Sequence, residues 1–268
     1  SEQVRKLESL LDVTLFERSR RHVAPPPAGI RLIALCRDVL AAARALIEHA
    51  RAHTGALDGR LRIGVIATLG PYYVPALLPL LRRDYPQLTL QLTEGLTETL
   101  LRRLRDNELD LVLAALPVPG ETLHAEPLFN EPFVAVFPRV HPRAGQEALA
   151  LEDLDGPDLL LLEEGHCLRD QALSLCGMTT SRQQRLATSL EMLWHMIGAG
   201  EGYSLIPELA LRHRETLRDL VTVRALPGAG RSIGLVWRAS DPRGPAFAEF
   251  ASFLRDHTPE GCTAFARG

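Results

Sequence analysis

The chain is almost without lysine: Lys6 stands alone, and every other cationic side chain apart from histidine is Arg. Aromatic residues make up only 5% of the 268 positions. Cysteines number four, with only two of them close in sequence, which excludes the dense disulfide framework of small secreted domains. No apolar run approaches the roughly 18 residues that a membrane span requires, so no membrane partner is expected. The start of the chain carries no secretory signal pattern. There is no Walker loop, no cysteine and histidine cluster with metal-ligand spacing and no Gly-x-Ser-x-Gly elbow, so neither a cofactor nor a metal is expected. A net charge of −3 gives no global nucleic-acid signature, and any DNA contact has to come from a local patch. What is present is ordinary for a soluble protein: 46% hydrophobic and 24% charged residues, in a chain long enough for more than one domain. A reducing cytosol is the default compartment, and a disulfide formed there would be a transient signal.

One stretch organises the rest. Leu159 to Cys176 reads LLLLEEGHCLRDQALSLC. It opens as a buried strand, turns polar at Glu163, Glu164, Gly165 and His166, and continues from Cys167 as a helix. Nine residues of helix place the Cα atoms of Cys167 and Cys176 about 13 Å apart and on opposite faces. A disulfide needs Cα atoms within about 7 Å, so the two thiols can join only if the helix unwinds. A cysteine at a helix N-terminus has its thiolate favoured by the helix dipole. His166, protonated or donating, and Arg169 add to that, while Glu163 and Glu164 oppose it. Thiolate attacks peroxide to give a sulfenic acid, which a second thiol condenses to a disulfide. The alternative at this point is two unrelated buried thiols packing as small hydrophobes.

The remaining chain alternates. Val4, Leu7, Leu10 and Leu11 recur at helical spacing, and LFERSRRHV reads as a turn into a short strand bearing Arg18, Arg20, Arg21 and His22. Pro25 to Pro27 form a break. From Ile30 to His53 a helix free of Gly and Pro carries Leu32, Cys36, Val39, Ala43, Leu46 and Ala50 as a heptad seam, which asks for a partner helix. After Gly55–Gly59 a new domain begins. LRIGVIATLG is a strand and turn, followed by a helix over 71–83, a strand over 88–95, a helix over 97–107 and a strand over 109–116. That order gives a parallel α/β sheet. Further strands are expected at 132–137, 158–162, 203–207, 221–226 and 232–238, with helices at 189–199 and 244–256. The arrangement suits two α/β subdomains with a cleft, the chain crossing near 130 and returning near 232. Thr68 and Gly70 after the first strand, and Thr97 after the second, occupy the ligand positions of such sheets. Capping is the plainer role for both threonines.

The segment GHCLRDQALSLC, with both cysteines, His166, Arg169, Asp170 and Gln171, resembles the sensing segment of the peroxide-responsive members of the LysR-type transcriptional regulators. The likeness extends along nearly the whole chain. Arg5–Glu8 and Leu15–Arg18 match the end of that family's winged helix-turn-helix, with Asp12 where Gly is common. About 30 residues of that domain are then expected ahead of Ser1. The resemblance implies two Rossmann-like subdomains of a periplasmic-binding-protein-like regulatory domain, preceded by a linker helix and the remnant of a winged helix-turn-helix. The expected divisions are 1–26 for DNA binding, 27–58 for the dimerising linker and 59–268 for redox sensing. Subdomain I takes 59–130 and 232–268, and subdomain II takes 131–231.

It also implies roles. Cys167 is the peroxidatic and Cys176 the resolving thiol. VIATLGPY and EGLTETLL match the segments whose threonines line a peroxide pocket, so Thr68, Thr97 and His166 would orient peroxide beside Cys167. Arg231 matches a basic residue near the reactive cysteine, and Arg169 and Asp170 support it. Arg5, Lys6, Arg18, Arg20 and Arg21 would contact DNA. The implied partners are promoter DNA, hydrogen peroxide, further copies in a homodimer or homotetramer, RNA polymerase and a dithiol reductant such as glutaredoxin or thioredoxin. The implied protein is a cytoplasmic activator of antioxidant genes and not an enzyme. The competing reading is a regulator of the same type that binds a small metabolite in the cleft and has inert cysteines. A thiol peroxidase is disfavoured by the absence of a thioredoxin-like pattern. Segment 177–184 departs most from the family and is expected to be a loop.

Overall fold

The computed structural model describes residues 2–18, 23–52, 57–146, 149–154, 156–177, 185–212 and 219–266. The chain opens with helix α1 (Glu2–Leu11). The Glu8 carboxylate then accepts from the backbone N–H groups of Leu15 and Phe16, which folds the following turn onto the helix. Strands β1 (Glu17–Arg18) and β2 (Val23–Ala24) pair antiparallel. Helix α2 (Pro27–Ala52) starts three residues earlier than the sequence pattern suggests. Pro27 opens it because a first-turn proline sacrifices no helical hydrogen bond. Its Ile30, Leu35, Val39, Leu40 and Leu46 are exposed.

Strand β3 (Gly59–Ile66) begins the larger unit. It is followed by α3 (Gly70–Asp84), β4 (Leu88–Gly95), α4 (Thr97–Arg105) and β5 (Leu111–Leu116). β3 pairs parallel with both β4 and β5, the crossover pattern that alternating strand and helix periods require. Two long strands follow: β6 (Leu123–Pro138) and, much later, β10 (Val221–Arg238). Between them in sequence lie β7 (Leu161–Leu162), α5 (Cys167–Leu175), β8 (Leu186–Ala187), α6 (Leu190–Gly198) and β9 (Ser204–Pro207). Helix α7 (Gly244–Asp256) and strand β11 (Thr263–Ala264) close the chain. One mixed sheet runs in the order β11-β6-β10-β5-β3-β4, with β9 also on β6.

Two hydrophobic cores flank this sheet. The first is built by β3, β5, α3, α4, α7 and the distal half of β10, around Tyr73, Phe129, Trp237, Phe247 and Phe250. The second is built by the distal half of β6, β9, α5 and α6, around Phe133, Phe137, Trp194 and Tyr203. The protein is thus a pair of α/β cores joined by two continuous strands. The antiparallel pairing of β6 and β10 slips between Ala225 and Gly230, where residues 226–229 bulge out. A Cβ at Gly230 would lie 2.7 Å from the Glu131 carbonyl oxygen, so only glycine lets the two strands close up again at this point. The sequence pattern had suggested two strands in place of β10, broken at Pro227-Gly228. The bulge absorbs both residues and the strand continues. Among the described residues, no helix is long and apolar enough to cross a membrane.

On the flank of the first core, charges are fully engaged. Asp110 takes hydrogen bonds from Arg62 and Arg243, and Asp241 takes them from Arg238 and Arg243. Burial works against the Asp110 carboxylate, but these two guanidinium groups outweigh it and hold its pKa below the ordinary range. The cluster fastens β3, β5, β10 and the start of α7 to one another.

Candidate functional site

The polar loop at 163–166 delivers Cys167 to the first position of α5. Gly165 shapes it. Its φ is +94°, a left-handed value, and a Cβ there would stand 3.0 Å from the side chain of Leu96, the residue that follows β4. The loop therefore lies directly on the carboxyl end of β4. Cys167 is partly buried and packs against the first core, although the rest of α5 belongs to the second. Cys176 caps the far end of the helix at 7% exposure, inside the second core. Neither cysteine is in a disulfide. Because α5 is continuous between them, they are about 13 Å apart in Cα position.

Thr68 and Thr97 sit at the carboxyl ends of β3 and β4, which run side by side, with Ala67 N–H donating to the Gly95 carbonyl across them. Neither hydroxyl caps a helix: Leu69 and Leu96 hold the cap positions. Thr97 Oγ1 is buried and makes no hydrogen bond. Thr68, at 2% exposure, accepts from Arg231 Nη1 at 2.8 Å through its hydroxyl, and from Nη2 at 3.0 Å through its carbonyl. Arg231 also donates from Nε to Glu131 Oε2 at 2.8 Å, both side chains being wholly buried. Glu131 completes its coordination by accepting the Leu209 N–H. Deleting either member of such a pair leaves an unpaired buried charge, at a cost of about 3–5 kcal/mol.

His166 is half-buried. Desolvation lowers its pKa, against the opposing effects of a hydrogen bond to the Thr188 backbone and the nearby Glu163. The net effect disfavours the protonated ring. Arg169 is buried within α5. Its Nη1 has no partner and its Nη2 is 3.8 Å from Glu164. Asp170 is exposed in the first turn, away from these groups. Cys262 also packs on the first core, and burial, then Glu131, then Glu208 push its pKa up to about 12. At the N-terminal end Arg5 and Lys6 are exposed on α1, with Lys6 paired to Glu2 at 3.1 Å. Arg18 lies in β1, whereas Arg20, Arg21 and most of the loop at 177–184 fall outside the described residues. Among the described residues no cluster of histidine, cysteine and carboxylate could hold a metal.

Glu131 was not among the residues singled out from sequence. One signal was available: an acidic residue inside FNEPFVAVF, an otherwise apolar run, needs a buried partner.

Two α/β cores are joined by a double strand crossing, and polar groups gather at the carboxyl ends of adjacent parallel strands, where open α/β sheets hold their ligands. The family model for the LysR substrate binding domain matches residues 54–259. The hydrogen peroxide-inducible genes activator of Dickeya chrysanthemi is 39% identical over 261 residues, covering 96% of this chain and 85% of that protein. The DNA-binding transcriptional dual regulator OxyR of Escherichia coli K12 is 39% identical over 95% of this chain and 85% of its own length. Full-length OxyR from Pseudomonas aeruginosa, in a cysteine-to-aspartate form, superposes with a TM-score of 0.76 at 34% identity, covering 99% of this chain and 87% of that one. A peroxide-bound cysteine-to-serine OxyR from Corynebacterium glutamicum gives a TM-score of 0.72 at 35% identity, over 95% and 82% of the two chains. The chain belongs to the LysR family, within its OxyR group of hydrogen peroxide-inducible genes activators.

Proposed function

We propose that this peroxide-sensing transcriptional activator works through reversible formation of a Cys167–Cys176 disulfide. The observation that carries the proposal is the placement of two cysteines, neither in a disulfide, at opposite ends of one short helix, Cys167 against the first core and Cys176 inside the second. Hydrogen peroxide is held by hydroxyls of the Thr68 and Thr97 type, beside His166 and Arg231. The Cys167 thiolate attacks one peroxide oxygen, the O–O bond breaks, and hydroxide leaves after taking up a proton to become water. The sulfur is then a sulfenic acid. Cys176 attacks that sulfur, expelling a second water and closing the S–S bond. Closure requires α5 to unwind, since the two Cα atoms have to approach within about 7 Å. A dithiol such as glutaredoxin or thioredoxin restores both thiols by exchange.

The remaining assignments follow from this reading. Residues 1–26 are the end of a DNA-binding domain, with Arg5, Lys6, Arg18, Arg20 and Arg21 at the phosphate backbone, and 27–58 form a dimerising linker. Residues 59–130 and 232–268 make one sensing subdomain and 131–231 the other. The exposed apolar side chains of α2 favour a dimer or tetramer. Repacking around α5 alters how the DNA-binding domains sit on a promoter and meet RNA polymerase, which turns on antioxidant genes in the cytoplasm without enzymatic turnover.

The test is non-reducing peptide mapping after one equivalent of peroxide. The expected product is a Cys167–Cys176 cross-linked peptide, reversed by dithiol. A second reading, a small metabolite bound between the cores with both thiols inert, is favoured by a groove of about 540 Å³ lined by Glu131, Phe133, Glu208, Leu226, Arg231 and Thr263. Free Cys167 and Cys176 after treatment, with a metabolite-induced thermal shift, would establish that reading instead.

A further inference from the structure

We infer that Glu131 is a positioning residue for peroxide capture: it sets the Arg231 guanidinium and, through it, the direction in which the Thr68 hydroxyl donates. This rests on the sensing mechanism just described and adds a residue to it.

Glu131 and Arg231 are directly opposed in the β6–β10 ladder, immediately beside the bulge. Both lie where the two strands pass from one core to the other, and neither is exposed. A carboxylate at such a place needs donors, and it has two of different kinds. Arg231 Nε binds one oxygen at 2.8 Å and the Leu209 N–H binds the other at 3.3 Å. Leu209 lies in the 3-10 turn Glu208–Leu211, so Glu131 is itself anchored by the backbone. The guanidinium is planar, and fixing its Nε edge fixes its opposite edge. That edge grips Thr68 twice, at the hydroxyl and at the carbonyl.

The consequence lies in the hydroxyl's bonding capacity. A threonine hydroxyl has one proton and two acceptor lone pairs. Arg231 occupies a lone pair, so the Thr68 proton is free to be donated to something else. Thr97 Oγ1, at the end of the adjacent strand, is likewise buried and without a partner. A fixed donor and an unengaged hydroxyl on neighbouring strand ends suit a small guest that both donates and accepts at each of two adjacent oxygens, which is the hydrogen-bonding pattern of hydrogen peroxide. If Glu131 is neutralised, Arg231 keeps its charge but loses its anchor. The guanidinium then has alternatives to Thr68, and the hydroxyl is free to turn.

The experiment uses the whole chain and follows two reactions at Cys167 by mass spectrometry: oxidation by hydrogen peroxide, and alkylation by iodoacetamide, which makes no use of the threonine hydroxyls. Glu131→Gln should slow oxidation about tenfold or more and leave alkylation within about twofold. Thr68→Val should slow oxidation comparably, and Glu131→Gln added to Thr68→Val should slow it little further, because the two changes break one chain of contacts. Glu131→Asp keeps the charge and should oxidise at a rate between the wild type and Glu131→Gln, which keeps the test available if Glu131→Gln does not fold. Wild-type oxidation rates in Glu131→Gln would overturn the assignment. So would an equal loss of oxidation and alkylation, or full multiplication of the effects of the two substitutions. Failure of the wild type itself to oxidise at Cys167 would sink the sensing mechanism along with it, an outcome distinct from all of these.

Discussion

Cys167 and Cys262 make a natural comparison, since both are partly buried thiols packed against the same core. Cys262 follows the turn ahead of β11, with Glu131 and Glu208 among its charged neighbours. Burial and these carboxylates penalise its thiolate and drive the pKa up to about 12. Cys167 opens a helix, and the carboxylates nearest to it in sequence, Glu163 and Glu164, are exposed. On the proposed reading, partial burial in a common core therefore does not decide which thiol senses peroxide. What differs is the burial of the carboxylates around it, and whether a second thiol lies on the same helix.

The largest effect should come from exchanging the two in turn. Cys167→Ser should abolish peroxide-dependent disulfide formation and transcriptional activation. Cys262→Ser should leave the rate of Cys167 oxidation within about twofold, as read by peptide mapping. A Cys167→Ser protein that still switched on peroxide would break the comparison outright. Next in size is the reactivity of Cys262 itself. With a pKa of about 12, its thiolate fraction at pH 8 is roughly a thousandfold below that of an ordinary thiol, so iodoacetamide should label it correspondingly slowly in the folded chain. Glu208→Gln removes one of the carboxylates and should speed that labelling several-fold. Unchanged labelling would mean that burial alone sets the value.

The smallest effect concerns His166. Its folded pKa lies below its ordinary value, so the unfolded chain takes up the proton first as pH falls through about 6.5. The stability tied to the neutral ring is complete above that range and is lost on acidification. The melting temperature of the reduced protein should fall between pH 7.5 and 5.5 by slightly more in the wild type than in His166→Asn, a difference on the order of a degree. The Asp110 carboxylate, held below its ordinary pKa, stays ionised throughout this window and should not contribute to the slope.

Much of this molecule was legible from its residues. Apolar runs bounded by Gly and Pro placed β3 through β5 to within a few residues, because each run is a fully buried strand and each exit requires a turn. The helix from Cys167 followed from its own pattern. The long strands did not. The expected strands 132–137, 221–226 and 232–238 are only parts of β6 and β10, which carry Pro127, Pro132 and Pro227-Gly228 at bulges and irregularities because each strand has a partner that runs past the defect. The contact of Glu131 with Arg231 spans 100 residues, and Arg231 reaches Thr68 across 163. A single sequence holds no local period that announces such meetings; only the demand of a buried charge for a partner hints at them. The state of His166 depended on how deeply its ring is covered, which the sequence leaves open.

The placement of Cys176 has a further consequence, for recovery. Its side chain is part of the second core, so an S–S bond with Cys167 would pull a packed group out of that core and leave its neighbours without contacts. The oxidised chain would then be under-filled, and the void would favour return. Each 1.4 kcal/mol of packing withheld from the oxidised form makes the disulfide easier to reduce by about 30 mV. On the proposed mechanism the alarm would carry its own reset: once a reductant opened the bond, the vacant seat in the core would draw Cys176 back and the helix would wind again without a further signal.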